Sequence, residues 1–389
     1  MNLKSIISES EIIKYSSLIF LANFSGALIL FISNIILSRH FGPEVFGNFK
    51  TILGLSLLLP SLIEFGAGVT IVKYTATLIK DKKKVNYLIK SILKLRVISY
   101  SLLLVLVFVL KDQIAIYLLK DISLSPLVIP GILISGLFFF EIFKSIALGF
   151  QEYKDYSVSK FLTFSSYGIL ILILGYFFGV YYALIGWALS YFIGNFSLIR
   201  LSIRRGLLGK TKKFDIKKVF LSYTLPMYIL FFPELLSLVP IPILSLYYSQ
   251  RIIGYYSFAM IFYNGIILIP LSLSDYLFPK ISGLSGKKNR KVAEEKLKKV
   301  LLLYSLVVIP GIITTIFFSD FFIELIAPLY VPSILIFKIL VCLGLLSGYF
   351  LIYENYLRGL ARLKRFALMI LTRNITFLIF SFFVLMTLV

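Results

Sequence analysis

The 389-residue chain has one cysteine, one histidine and one tryptophan. A single thiol excludes a disulfide framework, and one thiol with one imidazole cannot build a zinc cluster or a Cys–His nucleophile pair. No GxxxxGK[ST] phosphate-binding loop occurs, which removes the sign of an ATP motor from this chain. No cofactor and no enzymatic activity are expected. Charge is scarce as well, at 15% of residues against roughly 25% in ordinary soluble chains. Acidic residues are scarcer still, with 18 Asp and Glu against 40 Lys and Arg. No stretch between apolar runs exceeds roughly 20 residues, too little to bury a core, so no soluble domain is expected.

What the chain has is apolar length. Hydrophobic residues make up 59% of it, mean hydropathy is +0.95, and runs long enough to cross a bilayer as helices recur from end to end. Barrel strands would be shorter and would alternate apolar with polar residues, so the fold class is an all-α polytopic membrane protein. Eleven spans are expected, near 15–38, 45–66, 88–110, 125–149, 158–178, 181–203, 219–248, 252–278, 299–318, 332–353 and 365–388. The opening MNLKSIISESEIIKYSS mixes lysine, glutamate and serine ahead of a full-length run. No small-residue cleavage site follows, so a retained first helix is expected rather than a cleaved signal peptide.

Basic residues orient the spans. They crowd the connections after spans 2, 6, 8 and 10, including Lys80, Lys82, Lys83 and Lys84, then Lys210, Lys212 and Lys213, then Lys287, Lys288 and Arg290, then Arg358, Arg362, Lys364 and Arg365. The other side offers only Arg39, Lys111, Lys120 and Arg251. Short-loop Lys and Arg mark the cytoplasmic face, which puts the N-terminus inside the cytoplasmic membrane. The net charge of +22 is therefore largely a topology signal. Nucleic-acid binding would need a basic surface on a folded soluble domain, while contact of the Lys-rich loops with anionic membrane lipids is compatible and unspecific.

The chain also repeats itself. At an offset of 207, Gly47 falls on Gly254, Lys73 on Lys280, Lys80 on Lys287, Lys83 on Arg290 and Lys84 on Lys291. At an offset of 210, GFQEYK (149–154) falls on GLARLK (359–364). Both copies start on the same side, which implies a parallel repeat about an axis along the membrane normal. The expected organisation is a bundle over 1–203, a basic cytoplasmic linker over 204–218 and a second bundle over 219–389. Span 6 projects beyond Val389, so the expectation is either a chain cut short after span 11 or a second bundle that works one helix short.

Charges inside spans are the functional candidates, because each costs about 2.5–3.5 kcal/mol on insertion scales. Arg373 lies about nine residues into the last span, roughly 13 Å deep. Glu234 sits mid-span in FFPELLSLVPIP, where Pro233, Pro240 and Pro242 interrupt the helix; broken helices at that depth are where transporters hold substrate and ions. Lys50 and Lys338 enter about six residues from the outer face, within snorkelling reach of it. Glu141 and Lys144, three apart, can pair on one helix face or line a cavity. Asp275 and Glu64 fall near the inner ends of their spans, where interfacial placement explains them. His40 reads as an interfacial residue before a proton switch, and Cys342 as packing.

The run LSRHFGPEVFGNF, followed by FGAGVTIVKYTA, IALGFQEYKDYS, GYYSFAMIFYNGIILIPLSLSDYLFPKIS, LIAPLYVPSILIFKIL and NYLRGLARLKR, resembles polysaccharide flippases of the Wzx type. These belong to the multidrug/oligosaccharidyl-lipid/polysaccharide exporter superfamily. The resemblance implies two six-helix bundles facing each other across a central cavity. It also implies alternating-access transfer of oligosaccharide carried on polyprenyl phosphate or pyrophosphate. Arg373, Lys50, Lys338 and Lys144 would then meet the anionic head group, and Glu234, Asp275 or Glu141 would couple a proton or cation. A monomer working beside glycan-assembly enzymes is expected. The alternative on the same fold is a cation-coupled exporter of small molecules. From another class, a membrane glycan polymerase or ligase would need a sizeable outer loop, and the longest here is about a dozen residues.

Overall fold

The computed structural model describes residues 9–129, 139–207, 209–282, 290–360 and 362–386. These are helical with short connections, and no strand occurs among the described residues. Twelve helices can be named: α1 Glu9–Leu62, α2 Ala67–Thr77, α3 Lys82–Ile114, α4 Phe139–Gly149, α5 Tyr153–Phe178, α6 Val180–Arg204, α7 Leu225–Leu235, α8 Pro240–Tyr247, α9 Gln250–Ser282, α10 Arg290–Ile326, α11 Ile334–Gly359 and α12 Leu363–Met386. The described residues hold eight helices long and apolar enough to span a membrane, or nine if one bent pair is a single span.

That number differs from the eleven expected spans for physical reasons that can be located. Expected spans 1 and 2 share α1, which continues through Gly42 although that residue is non-helical, at φ 70° and ψ 171°. Only glycine adopts that conformation without Cβ strain, so the chain reverses there without a loop. Expected span 4 runs through 130–138, outside the described residues. Expected span 7 is bent by 43° between Ile216–Leu230 and Phe232–Leu238. Proline supplies the cause: Pro233 removes an amide donor and crowds the preceding turn, and the chain passes through a 3-10 turn at Leu236–Leu238 before α8 starts on Pro240.

α3 shows how such a helix divides its surface. Val85, Leu88, Ile89 and Ile92 recur at helical spacing and are buried with Ile71, Ile142, Ile146 and Leu207. About three turns further on, Leu102, Val105, Phe108 and Val109 are each more than 60% exposed or close to it. In water that stripe would be an aggregation hazard, and in hydrocarbon it has no cost. α5 and α6 instead meet along a seam of small side chains, Thr163 and Ser166 on one helix and Gly186, Ser190 and Gly194 on the other: Gly194 lies against Thr163, Gly186 against the Leu170 carbonyl, and the Ser166 hydroxyl donates to the Ser190 carbonyl at 3.4 Å. Small residues let helix backbones approach closely where no hydrophobic effect drives them together.

The chain forms two compact units. The first contains Met1–Ser33, Leu59–Leu110 and Ile129–Tyr228; the second contains Asn34–Leu58, Lys111–Val128 and Ile229–Val389. Within the first unit the basic connections lie side by side. Lys212 donates its backbone N–H to the Lys83 carbonyl at 3.0 Å, and the buried Asn86 side chain donates to the Gly206 and Lys210 carbonyls at 3.2 and 3.1 Å. Leu207 is fully buried and Phe214 packs on the same core. The 204–218 segment is thus a docked strap rather than a free tether. Within the second unit the poorly basic connections gather: Tyr330 Oη donates to the Ser38 carbonyl at 2.9 Å, and Lys120 Nζ to the Leu246 carbonyl at 2.7 Å.

Candidate functional site

Arg373 lies on α12, where its Nε stands 3.3 Å from Oε1 of Glu354 on α11. The Glu354 side chain is only 4% exposed and that of Arg373 18%. The pair is close enough for strong Coulomb attraction, yet neither Arg373 Nε nor Glu354 Oε1 makes a hydrogen bond. Bringing both charges out of water is expensive unless geometry and hydrogen bonds are good, so this pair holds its charges without saturating them. Of the possible partners for a deep arginine, the structure supplies a carboxylate.

Next to it, Asn374, 5% exposed, donates from Nδ2 to the carbonyl of Pro233 at 2.7 Å. That carbonyl belongs to the turn where the proline-bent segment leaves α-helical geometry, so the α12 side chain satisfies an acceptor that the break has left open. Glu234 follows directly. It is exposed and lies within electrostatic reach of Arg358 and Arg373. The second unit therefore brings together Glu234, Glu354, Arg373 and Asn374, from the bent segment, α11 and α12.

Lys50, also in the second unit, is accommodated differently. Its Nζ donates to Asn34 Oδ1 at 2.6 Å and stands over the rings of Phe46 and Phe49 at 5.1 and 5.7 Å. Asn34 and Lys50 lie on opposite arms of the α1 reversal, and Phe46 precedes Lys50 by one helical turn. A neutral amide and two ring faces stabilise an ammonium, each ring by about 0.5–2 kcal/mol, without cancelling its charge.

The remaining candidates are paired or peripheral. Lys338 Nζ binds Asp320 Oδ2 at 2.9 Å, with side chains 27% and 52% exposed. Lys144 Nζ binds Glu141 Oε1 at 2.7 Å along α4, the helix-face pair that the spacing allows. The side chain of Asp275 lies outside the described residues. Glu64 forms an ion pair at 2.9 Å with Arg96 in α3, whose side chain is 9% exposed. His40 is exposed with its ring against Phe41, and Cys342 is half-buried.

Sequence reading missed Glu354, Asn34, Asn374 and Arg96. Glu354 falls one residue beyond the inner end of the expected span 332–353, where a carboxylate looks interfacial, and Arg96 is hidden in a basic cluster. Asparagine carries no charge to mark it. The signal that could have found Glu354 is its place on a helix adjacent in sequence to the one bearing Arg373, since a deep arginine requires an acid nearby.

A family model for polysaccharide biosynthesis proteins matches residues 12–285. The chain belongs to that family. Among solved structures, this family member is similar to a multidrug resistance MATE family transporter of the MOP superfamily in its inward-facing conformation. That match has TM-score 0.70 and 14% identity, over 91% of this chain and 88% of that one. It is also similar to the lipid II flippase MurJ in an inward closed conformation, with TM-score 0.68 and 17% identity, over 88% of this chain and 76% of MurJ. The MATE multidrug transporter DinF-BH gives TM-score 0.60 and 15% identity, over 94% of this chain and 86% of that one. No curated protein matches the sequence. At these identities the likeness to solved structures establishes the fold. This polysaccharide biosynthesis protein is a multi-span helical membrane protein with the fold of MOP superfamily transporters.

Proposed function

We propose that the protein flips a lipid-linked oligosaccharide, carried on polyprenyl phosphate or pyrophosphate, across the cytoplasmic membrane by alternating access between two repeat-related bundles. The observation that carries this reading is the under-saturated Arg373–Glu354 pair beside the proline-bent segment. A phosphate head group crossing hydrocarbon needs a cation held in place, and a guanidinium can grip two phosphate oxygens at once. In the resting pair Glu354 holds Arg373 without hydrogen bonds, so an arriving phosphate offers the guanidinium better geometry than it has. A proton or cation taken up at Glu354 or Glu234 would keep the displaced carboxylate from standing alone. Lys50 is a second, shallower cation, and Lys338 and Lys144 enter only if their carboxylate partners release them. Membership of the polysaccharide biosynthesis family supports a glycan as cargo, and MurJ shows that a lipid-linked substrate can belong to this fold.

The decisive experiment uses the purified chain in proteoliposomes loaded with a fluorescent polyprenyl pyrophosphate glycan. The protein should raise the fraction of glycan reached by an impermeant glycosidase, and R373Q should remove that gain while keeping the protein inserted. No gain over protein-free vesicles would sink the reading. The second reading, cation-coupled export of small molecules, is favoured by the MATE neighbours; gradient-dependent release of a cationic dye in the same vesicles would support it instead. Orientation has its own test. Cysteines placed at 80–84 and 210–218 should be shielded from an impermeant thiol reagent in intact cells, and labelling from outside would reverse the topology.

A further inference from the structure

The second unit contains a contact whose symmetry is independent of any side-chain chemistry. Gly47 and Gly254 are both buried against main chain, Gly47 against the carbonyl of Gln250 and Gly254 against the carbonyl of Pro43. A Cβ on either glycine would run into that carbonyl. The same 207-residue shift that carries Gly47 onto Gly254 carries Pro43 onto Gln250. Each glycine therefore meets the counterpart of the residue that its own counterpart meets, the signature of an isologous two-fold contact. A third pair obeys the same shift: Glu44 and Arg251 are counterparts of one another and face each other at 3.8 Å. Residues that meet their own counterparts must lie next to the axis.

We propose that Gly47 and Gly254 form a two-fold backbone latch that closes the poorly basic end of the transport path, and that it parts each time the protein opens on that side. The path itself rests on the function proposed above. The chemistry of the contact suits a reversible closure. Glycine lets two helix starts touch through Cα–H and carbonyl groups, which are weak partners individually. Around them stand one buried hydrogen bond, Thr51 Oγ1 to Gln250 Oε1 at 3.1 Å, and the exposed Glu44–Arg251 pair, whose side chains are each 66% accessible. The atoms nearest each glycine's Cβ position are main chain, so the contact itself interlocks no side chain. Gln250 also donates to the Leu118 carbonyl, which ties the turn after α3 to the same end.

The test uses a Cys342→Ser background carrying Glu44→Cys and Arg251→Cys, both at exposed positions, and a short bifunctional thiol reagent. With both glycines present the two thiols should cross-link readily. Adding Gly47→Ala or Gly254→Ala should lower the cross-linking yield several-fold and raise labelling at Thr51→Cys by an impermeant reagent to a similar degree. Because the pair is symmetric, the two alanine substitutions should act alike. Cross-linking that fails with both glycines intact, or a yield that neither alanine changes in protein of normal thermal stability, overturns the latch. The readout needs no substrate. A latch that behaves as stated in vesicles where no lipid-linked glycan moves would refute the proposed cargo and leave the latch standing.

Discussion

The two compact units handle buried charge in opposite ways. In the first, Arg96 and Lys144 are each matched by a carboxylate about one-third exposed, at 2.9 and 2.7 Å, and Arg205 pairs with Glu152. The acids keep part of their hydration while the cations are neutralised, an inexpensive way to hold structure near a membrane surface. In the second unit Arg373 faces a carboxylate that is itself buried and not hydrogen-bonded to it, and Lys50 has an amide and two rings instead of an acid. Such cations keep charge available for something else. The contrast teaches that depth alone does not separate these cations; the burial of the carboxylate partner does, about one-third exposed for Glu64 and almost fully buried for Glu354.

Four substitutions test that contrast, in decreasing order of expected effect. Arg373→Gln should lower glycan flipping about 100-fold, equivalent to about 3 kcal/mol of lost charge-assisted hydrogen bonding to phosphate. Its insertion and folded yield should stay near wild type, because Glu354 can take up a proton once alone. Wild-type flipping by this variant would show Arg373 to be structural. Glu64→Gln should do the reverse, destabilising the protein by about 2 kcal/mol by removing the carboxylate charge beside Arg96, a value already discounted for the exposure of Glu64. Thermal unfolding in detergent measures it, and the double variant with Arg96→Leu should recover most of the loss. If flipping per folded molecule also collapses in Glu64→Gln, the first unit's pairs are not merely structural.

Lys50→Gln should reduce flipping about fivefold, close to 1 kcal/mol, while Lys50→Arg should retain most of it. A Gln variant with full activity would move Lys50 to the structural side of the comparison. The smallest effect is expected for Lys338→Gln, within about 0.5 kcal/mol in stability, as partly exposed ion pairs contribute little. A flipping loss as large as that of Arg373→Gln would show that Asp320 releases Lys338 during transport.

Much of this was legible from residues alone, and the exceptions have causes. Arg373 announced itself because few charges sit deep in an apolar run. The bend at Pro233 was legible because proline removes a donor wherever it stands. Lys144 and Glu141 were legible as a pair because three residues bring side chains to one helix face. Glu354 was not, since its distance from a span end says nothing about which neighbouring helix it faces. The expected spans 15–38 and 45–66 read as two helices joined by a short connection. Only the backbone shows that one non-helical residue makes that reversal, with helix on both sides of it.

Local chemistry and composition thus determined that this protein is helical and membrane-embedded, because unpaired backbone groups cannot stand in hydrocarbon and only long apolar runs cross it. The duplicated pattern, with Gly47 matched to Gly254, is also a property of the sequence. Tertiary structure decided which acid answers which base, that Asn374 reaches the Pro233 carbonyl, and that Gly47 lies against the Gln250 carbonyl and Gly254 against that of Pro43. Those depend on which helix faces sit side by side, and in a chain this apolar many faces are equally greasy. Pairing is then set by small residues, backbone approach and a few polar contacts, whose partners lie as far as 292 residues away along the chain.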